Sequence, residues 1–443
     1  MRSLFEEVRS EQNIFSAWRH VKRSALTSGN SDIRGKASEF EHEHQKHLRR
    51  LITHLREGRF KFDPVQGVLK DKRKRLAQGK DPRPIAIATL QNRVVQRAVL
   101  QVLQPRVLRD PKDQNSRADT KLDKRLGLIN EVNRSKYGVG GLINPYGGVR
   151  PAIAAISTAI DGGAKHFYQS DIRAFFTKIP TDNVVDFVRR ETDDDALADL
   201  FAKGLEVELG NPDELKGYTD LFPSGGIGVA QGSSLSAFAG NVLLYEMDHA
   251  LNAMGVTSIR YIDDILIVST SEADLDRAIR HAEATLSGFE FGLYSTTDGS
   301  GKANRGLCAN AINFLGCTIQ PRRCVPSTQS IKNMKSSVTE TLSNSKAAIK
   351  KAVYQGGGLD PKLSQSGTLD ALGKRLYGWQ KSFSFCTDPQ PFQHLDDFVA
   401  SQVNDYQAFI GRTAQKSTIP LRMLIYGIPS TRAMFEASKR NVT

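Results

Sequence analysis

The chain has 443 residues, 39% of them hydrophobic and 25% charged, which excludes a small binding module and a disordered tail and suggests two or three lobes. No apolar run approaches the roughly 18 residues that cross a bilayer, and the opening MRSLFEEVRSEQ lacks the apolar core of a signal peptide, so a cytoplasmic protein is expected. The net charge is +13, and residues 46–125 hold 22 Lys and Arg against 8 acids, a local excess of +14 that suits either a surface tracking a phosphate backbone or a solvated basic face.

Residues 1–60 read as helical, and the polar stretch from Glu39 to Arg59 ends at Gly58. His42, His44, His47 and His54 lie there, but the step from His42 to His44 splits helix faces and no thiol or carboxylate completes a ligand set, so a solvated helix is expected. Between Phe60 and Ile87, short apolar pieces flank the basic loop Lys70-Asp-Lys-Arg-Lys-Arg-Leu-Ala-Gln-Gly-Lys80, the pattern of a β-hairpin with a mobile basic tip. Val94, Val95, Ala98, Val99, Val102 and Leu103 then recur at helical spacing up to Pro105. Residues 108–149 are polar and glycine-rich, with Gly138, Gly140, Gly141, Gly147 and Gly148 allowing close approach to another backbone.

From Pro151 to Ile319 helix and strand signals alternate, with a helix over Ala152–Ile160, a strand over Phe167–Ile172, a helix near Val242 and a hairpin around Asp263, which predicts an α+β lobe. After Pro326 the chain reads as helices near 331–353, 368–385 and 390–411, with Gly356, Gly357 and Gly358 as a hinge. Cys308, Cys317, Cys324 and Cys386 show no CxxC spacing and are expected as reduced, packed thiols rather than zinc ligands.

The chemistry concentrates in three stretches. In Ile259-Arg-Tyr-Ile-Asp-Asp-Ile-Leu-Ile-Val268 two acids interrupt a strand-forming apolar run, where burial is costly unless a tight turn aims them into a site. Asp171 ends the strand of His166-Phe-Tyr-Gln-Ser-Asp-Ile-Arg-Ala-Phe-Phe-Thr-Lys-Ile-Pro180; facing Asp263 from a neighbouring strand, it would let both side chains hold two hard cations about 3.5 to 4 Å apart. Between them, Gln231-Gly232 opens a helix whose stripe is Leu235, Phe238, Ala239, Val242, Leu243, Met247 and Ala250, with the preceding serines as N-cap.

Taken in chain order, the Asp171, Gln231-Gly232 and Asp263-Asp264 stretches resemble motifs A, B and C of reverse transcriptases, in particular the prokaryotic group of group II intron, retron and phage-defence enzymes. The likeness extends to Gly79-Lys-Asp-Pro-Arg-Pro-Ile-Ala-Ile87, the helix Asn92–Leu103, Tyr137-Gly-Val-Gly-Gly141 and Asn313-Phe-Leu-Gly316, and so covers roughly residues 55–320. It implies a right-hand polymerase: an N-terminal helical extension over 1–50, fingers over 51–150, a palm with an antiparallel sheet over 151–325 and a helical thumb over 326–443. It further implies RNA-directed DNA synthesis, with Asp171, Asp263 and Asp264 catalytic and, with the backbone carbonyl of Ile172, ligands of two Mg2+, for which Mn2+ could substitute. Arg83 with Lys70 or Lys72 would clamp the incoming deoxynucleotide, and Gln231 and Gly232 would lie under the nascent base pair. Phe176 would exclude the ribose 2′ hydroxyl, Lys302 could protonate pyrophosphate, and Phe314, Leu315 and Gly316 would form a primer grip.

The chain departs from intron enzymes at Ser234 and Ala237, where prolines are common, and from retron enzymes in lacking Val-Thr-Gly in the thumb, with Val256-Thr-Ser only a misplaced echo. No zinc-ligand, HNH or RNase H pattern follows. The resemblance is thus greatest to stand-alone defence enzymes that act with a structured non-coding RNA, with RNA template, cDNA and dNTPs as partners. The alternatives are an intron- or retron-derived enzyme acting on its own RNA, and a non-catalytic RNA-binding scaffold. Primer and oligomeric state stay open.

Overall fold

Ser3 and Ser10 each accept a backbone N–H from three residues on, starting helices α1 (Leu4–Val8) and α2 (Glu11–Leu26), and Asn30 starts α3 (Ser31–His42) in the same way. The helical reading of residues 1–60 is met, with a break at Glu43 before α4 (His44–Arg56). Of the histidines, His44 meets the Glu41 carbonyl and His47 stacks on Phe40 at 4.8 Å, so these two serve local packing. The computed structural model describes residues 2–79, 81–104, 123–143, 145–356, 358–432 and 434–435.

β1 (Gln66–Lys70) and β2 (Arg83–Ile87) form the expected antiparallel hairpin, with Lys70 opposite Arg83. Its basic tip contains a helical turn, α5 (Lys72–Leu76), because Lys and Arg are good helix formers once Asp71 at φ 56° has turned the chain. Lys80 lies outside the described residues. α6 (Leu90–Leu103), capped by Thr89, buries the predicted stripe Val94, Val95, Ala98, Val99, Val102 and Leu103; its expected stop at Pro105, and the following residues to 122, also lie outside the described residues.

The chain continues through α7 (Ile129–Asn133), α8 (Val149–Asp161), β3 (His166–Asp171), α9 (Phe175–Lys178), α10 (Thr181–Thr192), α11 (Asp195–Leu205), α12 (Pro212–Leu215) and α13 (Ser236–Ala253), then β4 (Thr257–Tyr261), β5 (Asp264–Ser269), α14 (Glu272–Ser287) and β6 (Ala303–Leu307). The four strands make an antiparallel sheet in the order β4-β5-β3-β6. Ile265, Leu266, Ile267 and Val268 of β5 are all buried, which explains why this strand reads as a continuous apolar run rather than an alternation. The serine N-cap expected for α13 is not formed: Leu235 occupies the cap position without a side-chain cap bond, and the Ser236 hydroxyl instead donates to the Ala230 carbonyl. Leu244 and Leu251 are buried as well as most of the predicted stripe, so α13 is a core helix buried on more than one face, with Asn241 and Asp248 as polar groups inside.

The chain divides into two compact units, Met1–Cys308 and Ala309–Thr443. The division falls inside the span 151–325, so the last strands belong with the C-terminal helices. In the second unit β7 (Ile312–Phe314), β8 (Cys317–Gln320) and β9 (Arg323–Pro326) form a meander. Leu315 and Gly316, at φ 48° and 79°, make the two-residue turn between β7 and β8. α15 (Thr328–Tyr354), α16 (Gln365–Ser382), α17 (Gln390–Gln415) and α18 (Ile419–Tyr426) follow and bury Val338, Leu342, Ile349, Leu372, Leu395, Tyr406, Ile410 and Ile425. Gly356, at φ 75°, follows α15, and Gly357 of the expected hinge lies outside the described residues.

The four cysteines are free thiols and three of them are buried, as expected, but the expectation that they do not cluster is corrected. The cysteines lack ligand spacing in the sequence, yet the sulfurs of Cys317, Cys324 and Cys386 lie within 4.8 Å of one another, because a hairpin and the end of α16 converge. No helix among the described residues is long and apolar enough to cross a membrane.

Candidate active site

β3 and β5 run antiparallel in a register that sets Asp171 directly opposite Asp264. The pairing continues past the strand ends, where the Ile172 N–H donates to the Asp263 carbonyl at 2.7 Å. Asp171 and Asp264 from the two central strands and Asp263 from the β4–β5 turn thus come together at one end of the sheet, with Ile262 at φ 64° turning that hairpin beside them. A β-branched residue in the left-handed region is strained, and such strain persists only where neighbours over-determine it.

Those neighbours are visible. Arg260 on β4 is fully buried; its guanidinium donates to the Ile262 carbonyl at 2.9 Å and to the Asn241 side chain at 3.3 Å, and it grips Asp248 of α13 at 2.6 Å. Asp248 is only 2% exposed, and burial pushes its carboxyl up while Arg260 pulls it back. The segment around Tyr137-Gly-Val-Gly-Gly141 lies along β4, with the Val139 N–H donating to the Arg260 carbonyl and the Arg260 N–H to the Tyr137 carbonyl. A Cβ on Gly140 would stand 2.4 Å from the Ile262 nitrogen, so only glycine fits against this turn.

The acids repel one another. Burial, the hydrogen bond shared with Asp171 and the charge of Asp263 push Asp264 up to about 7. Burial and Asp171 raise Asp263 too, opposed by Lys302 and Arg83. Lys302 comes from the loop before β6; its carbonyl accepts the Asp171 N–H at 3.3 Å, its ammonium pairs with the Asp171 carboxylate, and the Tyr294 ring lies 5.0 Å beneath it. A cluster of hard oxygen donors carrying more negative charge than one lysine offsets fits divalent cations such as Mg2+.

The other sequence candidates separate into four groups. Gln231 and Gly232 meet the β1–β2 hairpin: the Gln231 carbonyl accepts the Ala86 N–H at 3.3 Å, and Gly232, at φ 115°, faces the Ala86 carbonyl. Arg83 and Lys70 are exposed opposite one another on that hairpin, Arg83 within electrostatic reach of Asp263, whereas Lys72 lies over the Tyr218 ring at 4.5 Å. Phe176 packs edge-on against Phe175, whose ring fills the space a side chain on Gly240 would need, and the Phe176 carbonyl accepts the Val229 N–H. Phe314, Leu315 and Gly316 form the β7–β8 turn of the second unit. Sequence reasoning missed Arg260, Asp248 and Asn241; a charged residue inside the apolar run Ile259–Tyr261 was the available signal.

Residues 70–319, more than half of the chain, match the family described as reverse transcriptase (RNA-dependent DNA polymerase). Comparison with curated protein sequences found no match. Among solved structures, the chain is similar to a partial Cas6-RT-Cas1–Cas2 complex (18% identity, TM-score 0.35, covering 65% of this chain and 43% of that one). It is also similar to a Cas6-RT-Cas1–Cas2 complex (13%, 0.35, covering 91% and 50%) and to telomerase from Candida albicans in complex with a fragment of telomeric RNA (10%, 0.37, covering 86% and 64%). The chain therefore spans about half the length of the structures it resembles, and the assignment rests on the sequence match together with the α+β fold. By that match the chain belongs to the reverse transcriptase family.

Proposed function

We propose that this protein copies RNA into DNA, joining deoxynucleotides at a primer 3′ end through Asp171, Asp263 and Asp264. The observation that carries the reading is the register of β3 on β5, which sets Asp171 against Asp264 beside a strained turn bearing Asp263. Two divalent cations, Mg2+ or Mn2+, would be held by these carboxylates and the Ile172 carbonyl; when bound, they supply an acidified primer hydroxyl and neutralise the triphosphate. The hydroxyl oxygen bonds to the α-phosphorus as the bond to pyrophosphate breaks.

The chain's own residues divide the remaining work. Arg83 offers a guanidinium fork to the triphosphate, and Lys70 beside it a point charge. Lys302, an ammonium beside Asp171, would give a proton to departing pyrophosphate. Phe176 would press against the sugar's 2′ position and admit deoxyribose. The Gln231–Gly232 loop, tied to β2, would let backbone approach the base pair.

We further infer that the template is a structured non-coding RNA and that the enzyme acts in the cytoplasm in antiphage defence. Ser234 before α13 and Ala237 in its first turn, where intron enzymes commonly carry prolines, support this reading over an intron enzyme. The test replaces Asp263 and Asp264 by Ala. Deoxynucleotide incorporation on a primed RNA should fall to background while RNA binding persists, and sequencing of co-purified RNA and its DNA product identifies the template. Phage protection retained in the double variant would sink the enzymatic reading and favour a scaffold.

A further inference from the structure

Cys317 lies on β8 and Cys324 on β9, and the register Cys317 opposite Pro326 and Ile319 opposite Cys324 puts both thiols on one face as diagonal neighbours. Cys386 arrives from the turn after α16, and backbone bonds fix its position. The Thr387 N–H donates to the Cys324 carbonyl at 2.9 Å, and the Cys324 N–H donates to the Thr387 hydroxyl at 2.9 Å. Next to it Arg323 grips Asp388 at 2.8 Å. The convergence of three sulfurs within 4.8 Å is therefore enforced by the chain on both sides.

We propose that Cys317, Cys324 and Cys386 bind a zinc ion as three thiolate ligands. Zinc–sulfur bonds of about 2.3 Å at tetrahedral angles hold sulfurs about 3.8 Å apart, so only a small contraction brings the trio onto an ion. A disulfide would join two sulfurs at about 2.05 Å and leave the third out, whereas a soft, tetrahedral cation engages all three. Cys317 and Cys324 are buried, at 0% and 4% exposure, and Cys386 is half-buried, giving the ion a way in on one side. Among the described residues no further His, Cys, Asp or Glu joins the group, so water or a small ligand completes the tetrahedron. The metal staples the β8–β9 hairpin to the end of α16. Because Cys317 directly follows Gly316, it also holds the turn that carries Phe314 and Leu315.

The test uses the full chain purified without chelators. Elemental analysis should find about one zinc per chain, retained in Cys308→Ala, whose thiol lies outside the group, and lost in Cys386→Ala. Cobalt added to metal-stripped wild-type protein should give the near-ultraviolet sulfur-to-cobalt charge-transfer band, a readout that needs no variant to fold. Stripping the zinc should lower the melting temperature by several degrees. Zinc retained in Cys386→Ala, a wild-type protein that yields neither zinc nor the cobalt band, or an intact mass showing two of the three thiols joined as a disulfide would each overturn the proposal. None of these readouts depends on polymerase activity.

Discussion

Asp264 has a pKa near 7 in the folded chain because burial and two neighbouring acids disfavour its charge. The folded protein therefore binds this proton more tightly than the unfolded one. The resulting stability is full at acid pH and, without divalent cation, is lost as pH rises from about 4 towards about 7. A cation competes with that proton, so the melting-temperature gain from Mg2+ should be larger at pH 8 than at pH 6; thermal scans giving equal gains would remove the acid cluster as the binding site. At Phe176, replacement by Ala should raise ribonucleotide incorporation by at least about tenfold, equivalent to about 1.4 kcal/mol of discrimination, while deoxynucleotide use changes less. Competition assays with paired nucleotides decide this. The acids were legible in the sequence because carboxylates are conspicuous inside apolar strands. The Asp248–Arg260 pair was not, since Asp248 lies in α13, where its spacing gives no hint of a partner on β4.

At the scale of elements, the β4–β5 hairpin is held by groups from α13 and the 137–141 segment. Breaking a buried ion pair leaves an uncompensated charge and costs about 3–5 kcal/mol, whereas replacing both partners by apolar residues is often tolerated. Arg260→Met and Asp248→Leu should each destabilise strongly, with the double variant recovering much of the loss in urea melts; additive losses would show that the pair does not act as a unit. Gly140→Ala should abolish synthesis and spare RNA binding, since its methyl meets the Ile262 nitrogen. Strand and helix positions were readable from periodicity. The bare start of α13 and the helical turn in the basic tip were not, because the first depends on a hydrogen bond back to Ala230 and the second on a single left-handed Asp71.

For the whole molecule, the excess of +14 over residues 46–125 makes nucleic-acid affinity a function of salt. Changing Arg73, Lys74 and Arg75 to Gln should flatten the slope of log affinity against log salt by about 2, measured by filter binding over a salt series. An unchanged slope would place these side chains away from RNA. The unit boundary at Cys308 and Ala309 escaped the sequence reading because no Gly- or Pro-rich linker marks it; the chain passes directly from β6 towards β7. Lys302 connects these scales through its pairing with Asp171. That ammonium gives the acids a counter-ion from within the same chain. Because the backbone carbonyl of the same residue accepts the Asp171 N–H, any change in the loop before β6 would disturb the position and the charge balance of the acid cluster together.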